Sequence, residues 1–148
     1  MTVTRPALRY LGGKWRLAPW ILRHFPPHRV YVEPFGGAAS VLIRKPRSQG
    51  ECYNDLEGGV VNLFQVLRDP DLCADLCRAI DLTPFARDEY DRAFETTADP
   101  VEAARRLIVR SYMGHGSSAA LAVRSTGFRA SMVNRGGGTA GRGVDQHA

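Results

Sequence analysis

The residues of this 148-residue chain best suited to hold a polar ligand sit in three short runs before residue 56. In the central run, Glu33-Pro34-Phe35-Gly36-Gly37-Ala38-Ala39-Ser40, every residue from Gly36 to Ser40 is small. Small side chains let a ligand approach the backbone, and the carboxyl end of a strand is where open α/β sheets bind nucleotides. Asp55 follows about twenty residues later, closing a second strand-like run, where a carboxylate can accept hydrogen bonds from ribose hydroxyls. The third run, Arg9-Tyr10-Leu11-Gly12-Gly13-Lys14, uses a Gly-Gly turn to present a lysine able to hold a carboxylate or phosphate near a helix start. Each run also has a plainer reading: a structural turn after a strand, or a capping turn with a solvated lysine. None is G-x-G-x-x-G or a Walker A loop, which disfavours a nicotinamide, flavin or P-loop site.

The elements that must position these groups follow from periodicity. Leu17, Trp20, Ile21 and Phe25 share one helical face, predicting a helix over 14–25 that Pro26-Pro27 stops. Residues 29–33 (RVYVE) read as a strand, 38–44 as a short helix with free N–H groups at its start, and 51–54 (ECYN) as a second strand. Val60, Val61, Leu63, Phe64 and Leu67 mark an amphipathic helix. Asp69-Pro70 opens another through Leu72, Leu76 and Ile80, with an acid first and proline in the opening turn. Residues 88–94 suggest a further helix, and Asp99-Pro100 opens the last, with Ala103, Ala104, Leu107, Ile108 and Tyr112 along one side. Beyond Gly114 the periodicity ends. The glycine-rich residues 134–148 hold too little apolar surface to repay ordering, so disorder is expected there.

Composition narrows the classes. Apolar residues make up 44% of the chain, enough for one core, and no apolar run reaches membrane-spanning length. The start lacks the pattern of a secretory signal, so a cytoplasmic location is expected. Cys52, Cys73 and Cys77 suggest no disulfide framework, and Cys73 and Cys77, one helical turn apart, read as reduced thiols packed in a helix rather than as a metal site. Residues 1–50 hold nine Lys/Arg against Glu33 alone, residues 51–110 seven against thirteen acids, and residues 111–148 four against Asp145. Basic ends around an acidic middle suit either a polyanion partner or a solvated basic face.

Taken in order, Tyr10-x-Gly-Gly-Lys14, Val32-Glu33-Pro34-Phe35-Gly36-Gly37 and Asn54-Asp55 resemble the D12-class, Dam-like adenine-N6 DNA methyltransferases. The resemblance runs over about residues 8–135 and is specific in the first fifty. It implies an α/β fold class: the N-terminal part of a Rossmann-like S-adenosylmethionine-dependent methyltransferase fold (residues 1–68), then a helical target-recognition insertion (69–133) and the 134–148 tail. It implies S-adenosyl-L-methionine as cofactor, double-stranded DNA as partner and a restriction-modification or phage setting. By position, Tyr10, Gly12, Gly13, Lys14, Glu33, Pro34, Phe35, Gly36, Gly37 and Asp55 would hold the cofactor, with Tyr10 packing on it, Lys14 at its polar end, Glu33 near its amino group and Asp55 on its ribose. Arg105, Arg110, Arg124 and Arg129, flanking the recognition-like segment (the last in Thr126-Gly127-Phe128-Arg129), would meet DNA.

One departure matters. The family stacks and hydrogen-bonds the flipped adenine with Asp-Pro-Pro-Tyr, and these 148 residues contain no such motif. No catalytic residue is therefore assigned, and the resemblance implies a C-terminally truncated enzyme, inactive alone. The alternatives are a cofactor- or DNA-binding fragment without turnover and a non-functional remnant.

Overall fold

The computed structural model describes residues 3–116, 120 and 126–129. The expected disordered tail and Arg124 lie outside the described residues. Seven elements follow in order: α1 (Ala18–Leu22), β1 (Val30–Glu33), β2 (Gly50–Tyr53), α2 (Gly58–Arg68), α3 (Pro70–Asp81), α4 (Arg87–Arg92) and α5 (Pro100–Met113). Both strands fall within a residue of their expected bounds. They pair in parallel, Val30 opposite Gly50 through Glu33 opposite Tyr53, forming a small mixed α/β arrangement. The ladder runs on past the strands, because Asn54 N–H donates to Glu33 O at 2.9 Å and Gly36 N–H to Asn54 O at 2.9 Å. Those bonds fix the glycine run at the carboxyl end of the sheet.

Helix starts are set by local chemistry. Asp69 caps α3 by accepting from the N–H groups of Asp71 and Leu72, and Asp99 caps α5 by accepting from Val101 and Glu102. Each cap satisfies donors that the first turn would otherwise leave open, and proline follows where its missing N–H costs nothing. The principal core joins Val60, Leu63 and Val66 of α2 to Leu76 of α3 and Ala104 and Leu107 of α5, with Leu8 and Ala38 reaching in from the N-terminal segment. It thus crosses the expected boundary at residue 68. A second cluster packs Tyr90 and Ala93 with Val109 and Met113, walled by Phe85, Phe94 and Phe128. The 126–129 segment closes on the end of α5 through a bridge of Gly114 to Phe128, and on α4 through a bond from Tyr90 Oη–H to Thr126 O at 2.8 Å.

Two expected helices come out differently. The first begins at Ala18, not Lys14, because Pro19 has no amide proton to give a carbonyl one turn earlier and belongs in an opening turn. Leu17 and Trp20, which share a face in the expected helix, are exposed. Residues 37–44 form consecutive turns rather than a helix. Ala39 takes a left-handed φ of 49°, which a right-handed helix cannot contain and which costs about 1–2 kcal/mol for a residue with a Cβ. Cys73 and Cys77 both stand on α3, and Cys77 is exposed rather than packed. No helix among the described residues is long and apolar enough to cross a membrane.

Candidate functional site

A cleft of about 400 Å³ opens at the carboxyl end of the sheet, lined from three separate stretches: Tyr10 to Lys14, Glu33 with Phe35 to Ala38, Ser40 and Val41, and Asp55. Of the ten residues predicted to hold a ligand, only Pro34 lies outside the lining. Its carbonyl instead accepts from Asn54 Nδ2 at 3.1 Å. Phe35 stands out as an exposed aromatic wall.

The first stretch is a tight turn. Gly13 N–H donates to Tyr10 O at 3.0 Å, and Gly12 sits at φ 74°, a type II turn that needs glycine at that corner. The turn is anchored from far along the chain. Buried Ser111 of α5 accepts from Arg9 N–H at 2.9 Å and donates to Arg9 O at 3.0 Å. Lys14 Nζ curls back to donate to Gly12 O at 2.5 Å, four residues ahead of α1 rather than at its start.

The glycines owe their identity to neighbouring tyrosines. A Cβ on Gly36 would lie 2.2 Å from Tyr53 Cε2, and one on Gly37, at φ 49°, would lie 3.0 Å from the Tyr10 ring. The space expected for an approaching ligand is thus taken by protein rings, and the ligand-sized space lies beside them. Tyr53 Oη–H donates to Gly37 O at 2.6 Å. Nothing at residues 33–40 alone could reveal Tyr53 or Ser111 as supports.

Three polar groups define the cleft electrostatically. Asp55 Oδ2 accepts from Gly37 N–H at 2.7 Å and Oδ1 from Glu57 N–H at 2.9 Å, so the carboxylate staples the glycine turn to the start of α2 and keeps further lone pairs free. Glu33 is steadied by Tyr31 and the backbone of Leu42, yet its Oε2 is shut off from water without a hydrogen-bond partner. Burial raises its pKa above the ordinary carboxylate value, against the opposing pull of those bonds and of Lys45. Ser40 is 4% exposed and its Oγ also has no partner. Tyr10 is pushed up, first by burial and then by the charges of Asp55 and Glu57.

A strand, a small-residue turn and a ribose-spaced acid are shared by many nucleotide-binding folds, so the sequence as a whole decides among them. Residues 10–130 match the model of the D12 class N6 adenine-specific DNA methyltransferase family. The chain belongs to that family. It is 29% identical over 126 residues to a DNA adenine methylase of Serratia marcescens, covering 76% of this chain and 42% of that protein. A DNA adenine methylase of Vibrio cholerae serotype O1 is 36% identical over 70 residues, 46% of this chain and 24% of that relative. One from Escherichia coli K12 is 32% identical over 68 residues, with the same two shares. This chain therefore spans less than half the length of each of these relatives.

In this D12-class chain Arg105, Arg110 and Arg129, the described arginines expected to face DNA, are each engaged by protein groups. Arg105 donates to Glu102 Oε1 and Oε2 at 2.8 and 2.6 Å, to Glu89 Oε2 at 2.8 Å and to Thr83 Oγ1 at 3.1 Å. Arg110, 8% exposed, donates to Ala93 O and lies 5.7 Å from the Phe94 ring centre, and burial lowers its pKa. Arg129 Nη2 donates to Tyr112 O at 2.8 Å. Their hydrogen bonds run to protein groups that tie Thr83 after α3, α4 and the 126–129 segment to α5.

Proposed function

We propose that the cleft binds S-adenosylmethionine and that the chain serves adenine-N6 methylation of DNA as the cofactor-binding part of a methyltransferase. The observation that carries this is the meeting of Tyr10 to Lys14, Glu33, Phe35 to Ala38, Ser40 and Asp55 around one cleft, with a buried carboxylate oxygen left unpaired in its wall. An unpaired buried acceptor is costly, and an ammonium group relieves it. In this reading Glu33 takes the amino group, Asp55 uses its free lone pairs on the ribose, Lys14 swings from Gly12 O to the cofactor's carboxylate, and Phe35 covers the ligand. Tyr10 acts through Gly37, keeping the turn closed. Bound here, the cofactor supplies an electrophilic methyl group, and the protein's part is to orient it and keep water away.

DNA contact by residues 105–129 belongs to the same proposal. Arg105, Arg110 and Arg129 enter it as braces of the recognition-like helices, which present neighbouring groups to the duplex. A second reading, a binding fragment without turnover, is favoured by one observation: the 148 residues hold no Asp-Pro-Pro-Tyr.

Calorimetry with S-adenosylmethionine and S-adenosylhomocysteine tests the core of the proposal. Saturable one-to-one binding, weakened by Glu33→Gln, is expected. A folded protein that binds neither ligand would refute it.

A further inference from the structure

We propose that Ser40 is a binding group for the amino-acid end of the cofactor, and that with Glu33 it lets the cleft discriminate an aminoacyl thioether nucleoside from a plain one. This rests on the reading of the cleft given above and adds a residue to it. Ser40 is almost wholly buried, lines the cleft and carries a hydroxyl with no hydrogen-bond partner.

The backbone explains why that hydroxyl finds no local bond. A serine inside a helix usually turns its hydroxyl back to the carbonyl one turn earlier. For Ser40 that carbonyl belongs to Gly36, and left-handed Ala39 breaks the helical path between them. Glu33 Oε2, in the same lining, is likewise without a partner.

The two groups are chemically complementary. An ionised carboxylate only accepts, whereas a hydroxyl can donate. An α-amino acid carries both matching groups, an ammonium for Glu33 and a carboxylate for Ser40. A residue selected only for small size would be as well served by alanine, which leaves no buried polar atom unsatisfied.

Ser40→Ala separates the two accounts. In the ligand-free protein it removes an unbonded hydroxyl, so the thermal midpoint should equal or exceed that of the wild type. In calorimetry, affinity for S-adenosylhomocysteine should fall roughly ten- to hundredfold, the scale of a lost hydrogen bond to a charged group. Affinity for 5′-methylthioadenosine, which lacks the amino and carboxylate groups, should stay within about twofold. An unchanged S-adenosylhomocysteine affinity, an equal loss for both ligands, or a lowered ligand-free midpoint would each overturn the proposal. A wild type that binds neither ligand removes the cleft reading itself, whereas a wild type that binds both, matched by Ser40→Ala, removes only the role of Ser40.

Discussion

Asp55 and Glu33 are both carboxylates in one cleft, and their surroundings give them different work. Asp55 is held by two backbone N–H groups, so Asp55→Ala opens both bonds and frees the glycine turn from α2. We predict a stability loss of about 1–3 kcal/mol, read as a lower denaturant midpoint, together with weaker cofactor binding. Lost affinity at unchanged stability would show that the carboxylate serves the ligand alone. Glu33 behaves in the opposite sense. Its pKa lies above the ordinary carboxylate value, and only the ionised form pairs with an ammonium. Cofactor affinity should therefore rise with pH through that raised pKa and then level off, and Glu33→Gln should flatten the profile. A wild-type profile already flat from acid to neutral pH would remove Glu33 from the amino group. The residues lining the cleft were legible in sequence because small residues after a strand and an acid at ribose spacing are local patterns. The reason Gly36 and Gly37 must be glycine was not, since it lies in two tyrosine rings, one sixteen residues beyond Gly37 and the other well before it.

The same division between local and distant causes runs through the elements. Asp69-Pro70 and Asp99-Pro100 marked helix starts correctly because cap and proline act within one turn. Apolar spacing extends the first expected helix past what Pro19 permits, and the helix expected over 38–44 is broken where Ala39 turns left-handed. The least local of these supports is α5, which holds the Tyr10 turn beside the cleft through Ser111. Ser111→Ala would strip partners from the Arg9 N–H and C=O, costing about 1–3 kcal/mol and loosening the Tyr10 turn. Reduced hydrogen-exchange protection at residues 9–13 would reveal this, and unaltered exchange there would show that the turn stands without α5. The helix also has an acid limit. Hydrogen bonds from Arg105, aided by Arg106, hold Glu102 down to a pKa of about 2. Its stabilisation is fully present above the unfolded value near 4.5 and is lost as pH falls toward about 2. Glu102→Gln should therefore show a shallower loss of stability over that window than the wild type.

Across the whole molecule, charge and sheet say different things about completeness of function. The described ion pairs employ Lys45, Arg105 and Arg106, while Arg16, Arg23 and Arg47 stand exposed outside them. DNA binding by this chain should thus be weak and salt-sensitive, and its salt slope should drop more on neutralising any one of those three than on neutralising Arg105. Methyl transfer is a separate matter. Val30 and Val32 of β1 are 62% and 54% exposed, so one face of a parallel two-stranded sheet is bare where such sheets are ordinarily covered on both. Transfer to adenine also needs an acceptor for the flipped base's amine and an aromatic to stack on it, and no motif in these residues supplies either. Losing such alignment and electrostatic stabilisation costs orders of magnitude in rate. We therefore predict that the 148-residue chain binds S-adenosylmethionine but transfers no detectable labelled methyl to adenine in duplex DNA. Adding a polypeptide that carries the Asp-Pro-Pro-Tyr part of a D12-class enzyme should cover the Val30–Val32 face and restore transfer. N6-methyladenine made readily by the purified chain alone would place the amine acceptor among acids assigned here to helix caps, Asp69 or Asp99, and alanine at each would identify which.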